Sequence, residues 1–263
     1  MNKGKDSLSL VVITKNAAWS LAKCLQSAEW IPNKVVVDSG STDDTVQVAK
    51  RAGASVVHQE WLGFGPQKQF AVKLAPTDWV LCLDADEFLS PELSLSLKSL
   101  FEKEQLCDAY EFPRSNKFLG RFLKHGEGYP DWSLRLFNKN KARWSDDLVH
   151  EKVVALEGVL KVGRLNGDLM QESGESISHY IDKQNRYTDI QSHLIIEKGK
   201  RVSCLRLIFS PFLRFVKFYF FKRGFLDGLP GFVHIVIGCM SVFLKYLKVI
   251  ANQRVETELP IER

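Results

Sequence analysis

The chain has 263 residues, 45% of them apolar and 25% charged, which suits a folded globular protein and excludes wholesale disorder. Its formal charge of +5 is unevenly placed: between Lys198 and Arg254 eleven Lys or Arg stand against one acid, Asp227, so that segment carries +10. The five cysteines (Cys24, Cys82, Cys107, Cys204, Cys239) form no CxxC pair, which excludes a zinc knuckle or a disulfide framework and suits reduced thiols in a cytoplasmic compartment.

The opening segment MNKGKDSLSLVVITKN holds an apolar run that stops at Lys15, too short for a signal peptide. LSLVVIT (8–14) predicts a buried strand, and Leu21, Cys24, Leu25 and Ala28 then repeat at helical spacing. KVVVDSG (34–40) predicts a second strand. Thr42, Asp43 and Asp44 follow it as a helix start, because short oxygen-bearing side chains cap free N–H groups. ASVVHQ (54–59) and WVLCLD (79–84) predict two more strands, with a helix from about Pro66 to Ala75 between them. Ser90-Pro91-Glu92 opens another helix. From 107 to 165 the pattern loosens into a glycine- and aromatic-rich loop, KHGEGYPDW, a strand, SLRLFN, and then WSDDLVHEKV. Residues 177–199 read as a polar-faced helix, and 203–221 and 225–250 as strongly apolar helices with basic residues interspersed.

Strand and helix in alternation imply right-handed crossovers: an α/β fold with a Rossmann-like, mostly parallel sheet and helices on both faces. Ligands bind such sheets beyond the carboxyl ends of the strands. Thr14, Lys15, Asn16, Asp38, Ser39, Asp84, Asp86 and Glu87 come from three strands and are expected to converge on that edge. LDADE (83–87) places two carboxylates two residues apart, an arrangement suited to Mg²⁺ or Mn²⁺ together with diphosphate oxygens; an acidic turn capping the next helix is the plainer explanation. In VVDSGSTDDT (36–45) an Asp before Ser-Gly-Ser can accept hydrogen bonds from a base or ribose. GFGPQKQFA (63–71) leads a glycine loop into a helix with Lys68 one turn in, a place that suits a diphosphate or a base carbonyl. Neither GxxxxGKS nor GxGxxG occurs, so no P-loop or dinucleotide fingerprint competes for this edge.

ITKN, VVDSGSTDDT, GFGPQKQFA, WVLCLDADE, HGEGYPDWSLRLF and VHEKV, in that order, resemble glycosyltransferase family 2, and within it the lipopolysaccharide inner-core β-1,4-glucosyltransferases of Gram-negative bacteria. The resemblance runs from about Leu8 to the apolar tail. It implies a GT-A fold, a UDP-sugar donor, inversion at the anomeric carbon and a divalent cation. Carried over by position, it puts Asp38 on the uracil or ribose, Asp84 on the ribose or the metal, Asp86 on the metal, and Thr14 and Lys15 in the uridine pocket with Lys68 beside them. Inverting members use a carboxylate base, often in a Glu-Asp pair; this chain has His150-Glu151 there. Glu151 is the candidate base, Asp131 its rival, and Asp146 or Asp147 more distant choices. His179, in SISHYI, stands where such enzymes often supply a third metal ligand. His125 and His150 fall in loops expected to close over the site.

The apolar runs of the tail are broken by Ser210-Pro211, Lys217, Lys222-Arg223, Asp227 and Pro230, and the longest uncharged one, Gly228 to Leu244, falls short of a span. Basic, aromatic helices lying in an anionic membrane surface fit better, and the aliphatic content disfavours nucleic acid. The expected organisation is a catalytic domain over 1–200 and a membrane-associating tail over 201–263, on the cytoplasmic face of the inner membrane. The acceptor would be lipopolysaccharide core, with a polyprenyl lipid or capsule chain as the alternative. A nucleotidyltransferase is the rival of another class, but ITKNAAW lacks its glycine- and lysine-rich signature.

Overall fold

The structure is a computed structural model and describes residues 7–102, 107–147, 151–174 and 176–258, the side chains only as far as 253. The chain forms two compact units, Met1–Asn116 with Pro130–Glu172 and Lys117–Tyr129 with Ser173–Arg263.

The first unit is built on a sheet whose centre is β1 (Leu8–Thr14), every residue of it buried. A parallel strand covered on both faces must be apolar throughout, which is why LSLVVIT shows no alternation. Its side chains nonetheless divide. Leu8, Leu10 and Val12 pack with Leu21 and Leu25 of α1 (Ala18–Ser27), while Val11 and Ile13 join Ala71 and Val72 on the opposite face. β2 (Asn33–Asp38) lies parallel on one flank of β1. α2 (Thr45–Arg51) packs beside α1 and leads to β3 (Ser55–His58), parallel to β2. α3 (Phe64–Leu74) crosses the second face to β4 (Trp79–Asp84), parallel to β1 on its other flank. These four strands are parallel, as the alternating pattern predicts.

Beyond β4 the sheet becomes mixed. β5 (Glu87–Leu89) follows the LDAD turn, and α4 (Pro91–Leu100) starts where expected, with the Ser90 hydroxyl accepting from Leu93 N. β6 (Ala109–Phe118) and β7 (Arg121–Phe122) form a hairpin. β8 (Asp131–Asn138) then runs antiparallel to both β4 and β6. β9 (Ala142–Trp144) pairs with β10 (Val153–Ala155). β11 (Val162–Arg164) and β12 (Leu169–Gln171) are both parallel to β6, and β12 is also antiparallel to β5. The order β3-β2-β1-β4-β8-β6-β12-β5 therefore joins a parallel half to a mixed half. The sequence pattern loosens after 107 because the long strands β6 and β8 are covered unevenly and the others there are only two or three residues long.

In the second unit α5 (Ile177–Glu197), α6 (Cys204–Val216) and α7 (Gly228–Glu258) are consecutive helices, with a π-helical turn at Lys217–Phe221 and a 3-10 turn at Gly224–Asp227 between the last two. α7 packs on α5 and α6. Pro230 falls in the first turn of α7, where its missing N–H costs no hydrogen bond, and so it opens a 31-residue helix instead of interrupting it. The expectation that no run here is long enough to span is corrected: because one helix continues through Pro230 and past Lys245, Gly224–Gln253 is by length and composition alone able to cross a membrane. The segment 117–129 belongs to these helices: Phe118 and Leu123 pack with Ile237, Tyr180 and Val233. The Asp227 carboxylate, 1% exposed, accepts from the backbone N–H of Lys124 and His125 at 2.9 and 2.8 Å. Glu127 pairs with Arg214.

Candidate active site

The carboxyl ends of the central strands meet in register: Thr14 pairs with Asp38, Ile13 with Asp84, and Asp38 with His58. The expected convergence is therefore a consequence of sheet order. A cleft of about 620 Å³ opens there, lined among others by Thr14, Lys15, Trp61, Phe64, Asp84, Asp86 and Gln171, a size that accommodates a small-molecule ligand. Trp61 and Phe64 meet edge to face at 4.8 Å on its wall. Thr14 is 6% exposed, and among the described residues its Oγ1 has no hydrogen-bond partner.

The two loops at the rim are stitched together. Asn16, in the left-handed region at φ 50°, accepts from Thr42 N through Oδ1, and its own N–H donates to Ser41 Oγ, both at 2.8 Å. The Asp38 carboxylate accepts from Gly40 N, Ser41 N and Ser41 Oγ, so it shapes its own turn. Within the expected capping segment Asp44 stands at the start of α2 without a side-chain cap bond, and Asp43 accepts from Thr45 N at 3.0 Å and Ala18 N at 3.3 Å.

α3 supplies the next layer. Its entry is closed to any side chain at 65, since a Cβ there would lie 2.2 Å from the Ser145 carbonyl oxygen. Three successive residues then reach different parts of the site. Gln67, fully buried, donates to Ser39 Oγ at 2.9 Å and to the Gln59 carbonyl at 3.2 Å. Lys68 Nζ lies 2.9 Å from Asp84 Oδ1 and 2.6 Å from Glu151 Oε1. Gln69 accepts from Trp144 N at 2.9 Å.

Lys68 is one member of a chain of alternating charges. Asp131 pairs with Arg114 (2.6 Å), Arg114 with Glu87 (3.5 Å), Glu87 with Arg135 (2.7 Å), and Arg135 with Asp84 (2.8 Å), from which Lys68 leads on to Glu151. Four carboxylates thus alternate with three cations. The rival bases Glu151 and Asp131 occupy the two ends. Burial alone would raise the Asp84 carboxyl, but Arg135 and Lys68 overcome it and hold it well below the usual range. Burial likewise disfavours the charged form of Arg135, and Glu87 and Asp84 overcome that penalty and raise it. Glu87, with no exposed surface, is pushed up by burial against the pull of Arg135. It also accepts from Asp84 N at 2.9 Å, which pins the turn of LDADE. Asp86 differs from all of these. Among the described residues no Lys or Arg nitrogen lies within 4 Å of it, and burial and then the Asp84 charge push its carboxyl up. Among the described residues its side chain is met by Gln171, whose Nε2 donates to Oδ2 at 3.1 Å.

The structure thus brings Thr14, Lys15, Asp84 and Asp86 to one cleft and joins Lys68 and Glu151 to it through Asp84. Asp38 stands one strand over and Asp131 at the far end of the ion chain. His179 belongs to the second unit, exposed in the first turn of α5, with its N–H donating to Ser176 Oγ at 3.2 Å. His125 faces Asp227 in that unit at 3.1 Å, and His150 lies outside the described residues. Among the described residues no group of three or more His, Cys, Asp or Glu is arranged to hold a metal ion. A hard divalent cation nonetheless fits Asp86, because such ions take one or two carboxylates and complete their shell with phosphate oxygens and water. Both Asp84 oxygens, by contrast, are occupied by cationic side chains. Sequence reading missed Arg114, Arg135, Gln67 and Gln171. An arginine inside the apolar run SLRLF was the available signal, since a charge buried in a strand requires a partner.

The family model for glycosyl transferase family 2 matches residues 9–159, more than half of the chain, and the chain belongs to that family. An uncharacterised glycosyltransferase of Rickettsia typhi is 34% identical over 250 residues, covering 92% of this chain and 86% of its own. The lipopolysaccharide core biosynthesis glycosyltransferase LpsC of Rhizobium meliloti is 30% identical over 251 residues, covering 93% and 92%. Among solved structures, S. aureus TarS 1–349 in complex with UDP-GlcNAc superposes with a TM-score of 0.49 at 15% identity, covering 95% of this chain and 92% of that 1–349 chain. As a member of that family the protein is a glycosyl-transferring enzyme, built on an α/β fold.

Proposed function

We propose that the protein is an inverting glycosyltransferase that moves a sugar, glucose in the first instance, from a UDP-sugar to a heptose of the lipopolysaccharide core. The observation that carries this reading is Asp86: a carboxylate that lines the cleft and makes no ion pair among the described residues, in a cleft also lined by Thr14, whose hydroxyl has no partner among those residues. A bound Mg²⁺ or Mn²⁺ would supply neutralisation of the diphosphate leaving group. Asp86 would hold it, with Asp84 contributing only after exchanging Lys68 or Arg135. Thr14 and Lys15 would line the uridine pocket, with Asp38 fixing the turn against which base or ribose rests. Lys68 would offset diphosphate charge. Glu151, or Asp131 in its place, would take the proton of the acceptor hydroxyl as that oxygen bonds to the anomeric carbon and the bond to UDP breaks on the opposite face. Relatedness to LpsC supports a lipopolysaccharide acceptor.

The second unit would dock the enzyme on the cytoplasmic face of the inner membrane. Leu205, Ile208, Phe209, Phe212 and Leu213 of α6 are all more than half exposed, amid a strongly basic stretch. The test is incubation of purified protein with a panel of UDP-sugars and Mg²⁺ or Mn²⁺, with and without a heptose-containing lipid, following UDP release. Acceptor-dependent release from one donor is expected. Release no faster than with Asp86→Asn, for every donor, would overturn the proposal.

A further inference from the structure

The short strand β12 has no counterpart in the sequence pattern, yet it reaches the acidic turn at three points. Gln171 pairs with Glu87 across the antiparallel β12–β5 ladder. Glu172 N donates to the Asp86 carbonyl at 2.9 Å. Gln171 Nε2 donates to Asp86 Oδ2 at 3.1 Å, and both side chains line the cleft. The strand end is itself anchored, because Lys23 Nζ lies 2.7 Å from Glu172 Oε2 and 3.9 Å from the centre of the Phe88 ring. The backbone at 171–172 is thus tied on both sides, and from it the Gln171 side chain reaches Asp86.

The chemistry of the donor matters as much as its place. Asp84 is met by Lys68 and Arg135, whose charges occupy both its oxygens. Asp86 is met by a neutral amide that engages one oxygen and orients the carboxylate without forming an ion pair with it. A lysine or arginine at 171 would orient it equally well but would compete with any cation in the cleft.

We propose that Gln171 is a positioning residue for Asp86: its uncharged amide fixes the carboxylate rotamer by Oδ2 and presents Oδ1, with its charge intact, to a divalent cation. The proposal rests on the reading of Asp86 given above. Partners that orient a metal-binding side chain are worth about 10–100-fold in metal affinity. The experiment is a titration of the full-length protein with Mn²⁺ alone and with UDP, followed by electron paramagnetic resonance, alongside melting temperatures and metal-free UDP binding. Gln171→Leu is expected to weaken Mn²⁺ binding about 10–100-fold while leaving the melting temperature and metal-free UDP binding unchanged. Gln171→Lys is expected to weaken it further, because the ammonium pairs with Asp86, and to keep the fold even if the leucine variant does not. Wild-type Mn²⁺ affinity in the folded variants, with Asp86→Asn losing it, would overturn the role of Gln171 alone. Mn²⁺ binding indifferent to Asp86→Asn would overturn both this inference and the reading beneath it.

Discussion

Replacing Arg135 by methionine tests whether the ion chain is a charged, buried unit. Arg135 is 6% exposed, and one nitrogen, Nη2, makes both of its carboxylate contacts, at 2.7 Å to Glu87 and 2.8 Å to Asp84. Methionine fills a similar volume but leaves those two acids facing one another, Glu87 with no access to solvent. Removing one partner of a buried ion pair costs about 3–5 kcal/mol. For a chain of this size each kcal/mol shifts the melting temperature by roughly 2–4 °C, so a fall of about 6–20 °C is expected in a thermal unfolding scan. Arg135→Lys should cost less than half as much. It keeps the charge at a single nitrogen and removes Nε, which is buried without a partner among the described residues. Adding Glu87→Gln to Arg135→Met should lose less than the sum of the single variants, by about 0.5–3 kcal/mol of coupling. A melting temperature of Arg135→Met within about 2 °C of wild type, or strictly additive losses, would refute the reasoning.

Asp86→Asn should abolish transfer and metal-dependent donor binding while circular dichroism shows an unchanged fold; near wild-type turnover at low metal would contradict this. Glu151→Gln should lower turnover by roughly 10²–10⁴-fold with donor affinity little changed, and should Asp131→Asn alone behave so in rapid-quench assays, the base is Asp131. Cys82, its thiol pushed up to about 12 by burial, and the fully buried Cys24 should resist iodoacetamide at pH 8, whereas exposed Cys204 should label first in peptide mapping. Full-length protein should co-sediment with anionic vesicles more than with neutral ones, less so as salt rises, and equal binding to both would refute the basic docking face. Truncation near Lys200 should leave the remainder insoluble, because Phe118 and Leu123 lose Ile237 and Val233.

That last expectation shows where sequence order misleads. The apolar tail reads as a separable appendage, yet the two units are drawn from interleaved segments, and 117–129 packs with helices a hundred residues further on. Nothing local announces this. Lys124, His125 and Asp227 become partners only when the buried carboxylate finds two backbone donors.

What the sequence determined by itself is the part governed by short-range rules. Strands buried on both faces are continuously apolar, helix starts carry oxygen-bearing caps, and a parallel sheet brings its strand ends to one edge; hence β1, β2 and β4, the cap at Ser90 and the convergence of Thr14, Asp38 and Asp84 were all legible. Tertiary structure alone decided which charges met. The partners of Arg135 lie 48 and 51 residues away, and those of Lys68 include one 83 residues away, separations set by strand order and not by any spacing within a motif. So too with Asp84 and Asp86. Two residues apart, they read as two carboxylates facing one cation, but the fold sets one among buried cations and gives the other a neutral amide from β12. A charge in a low-dielectric interior takes its properties from its neighbours in space, and those neighbours exist only once the sheet has assembled.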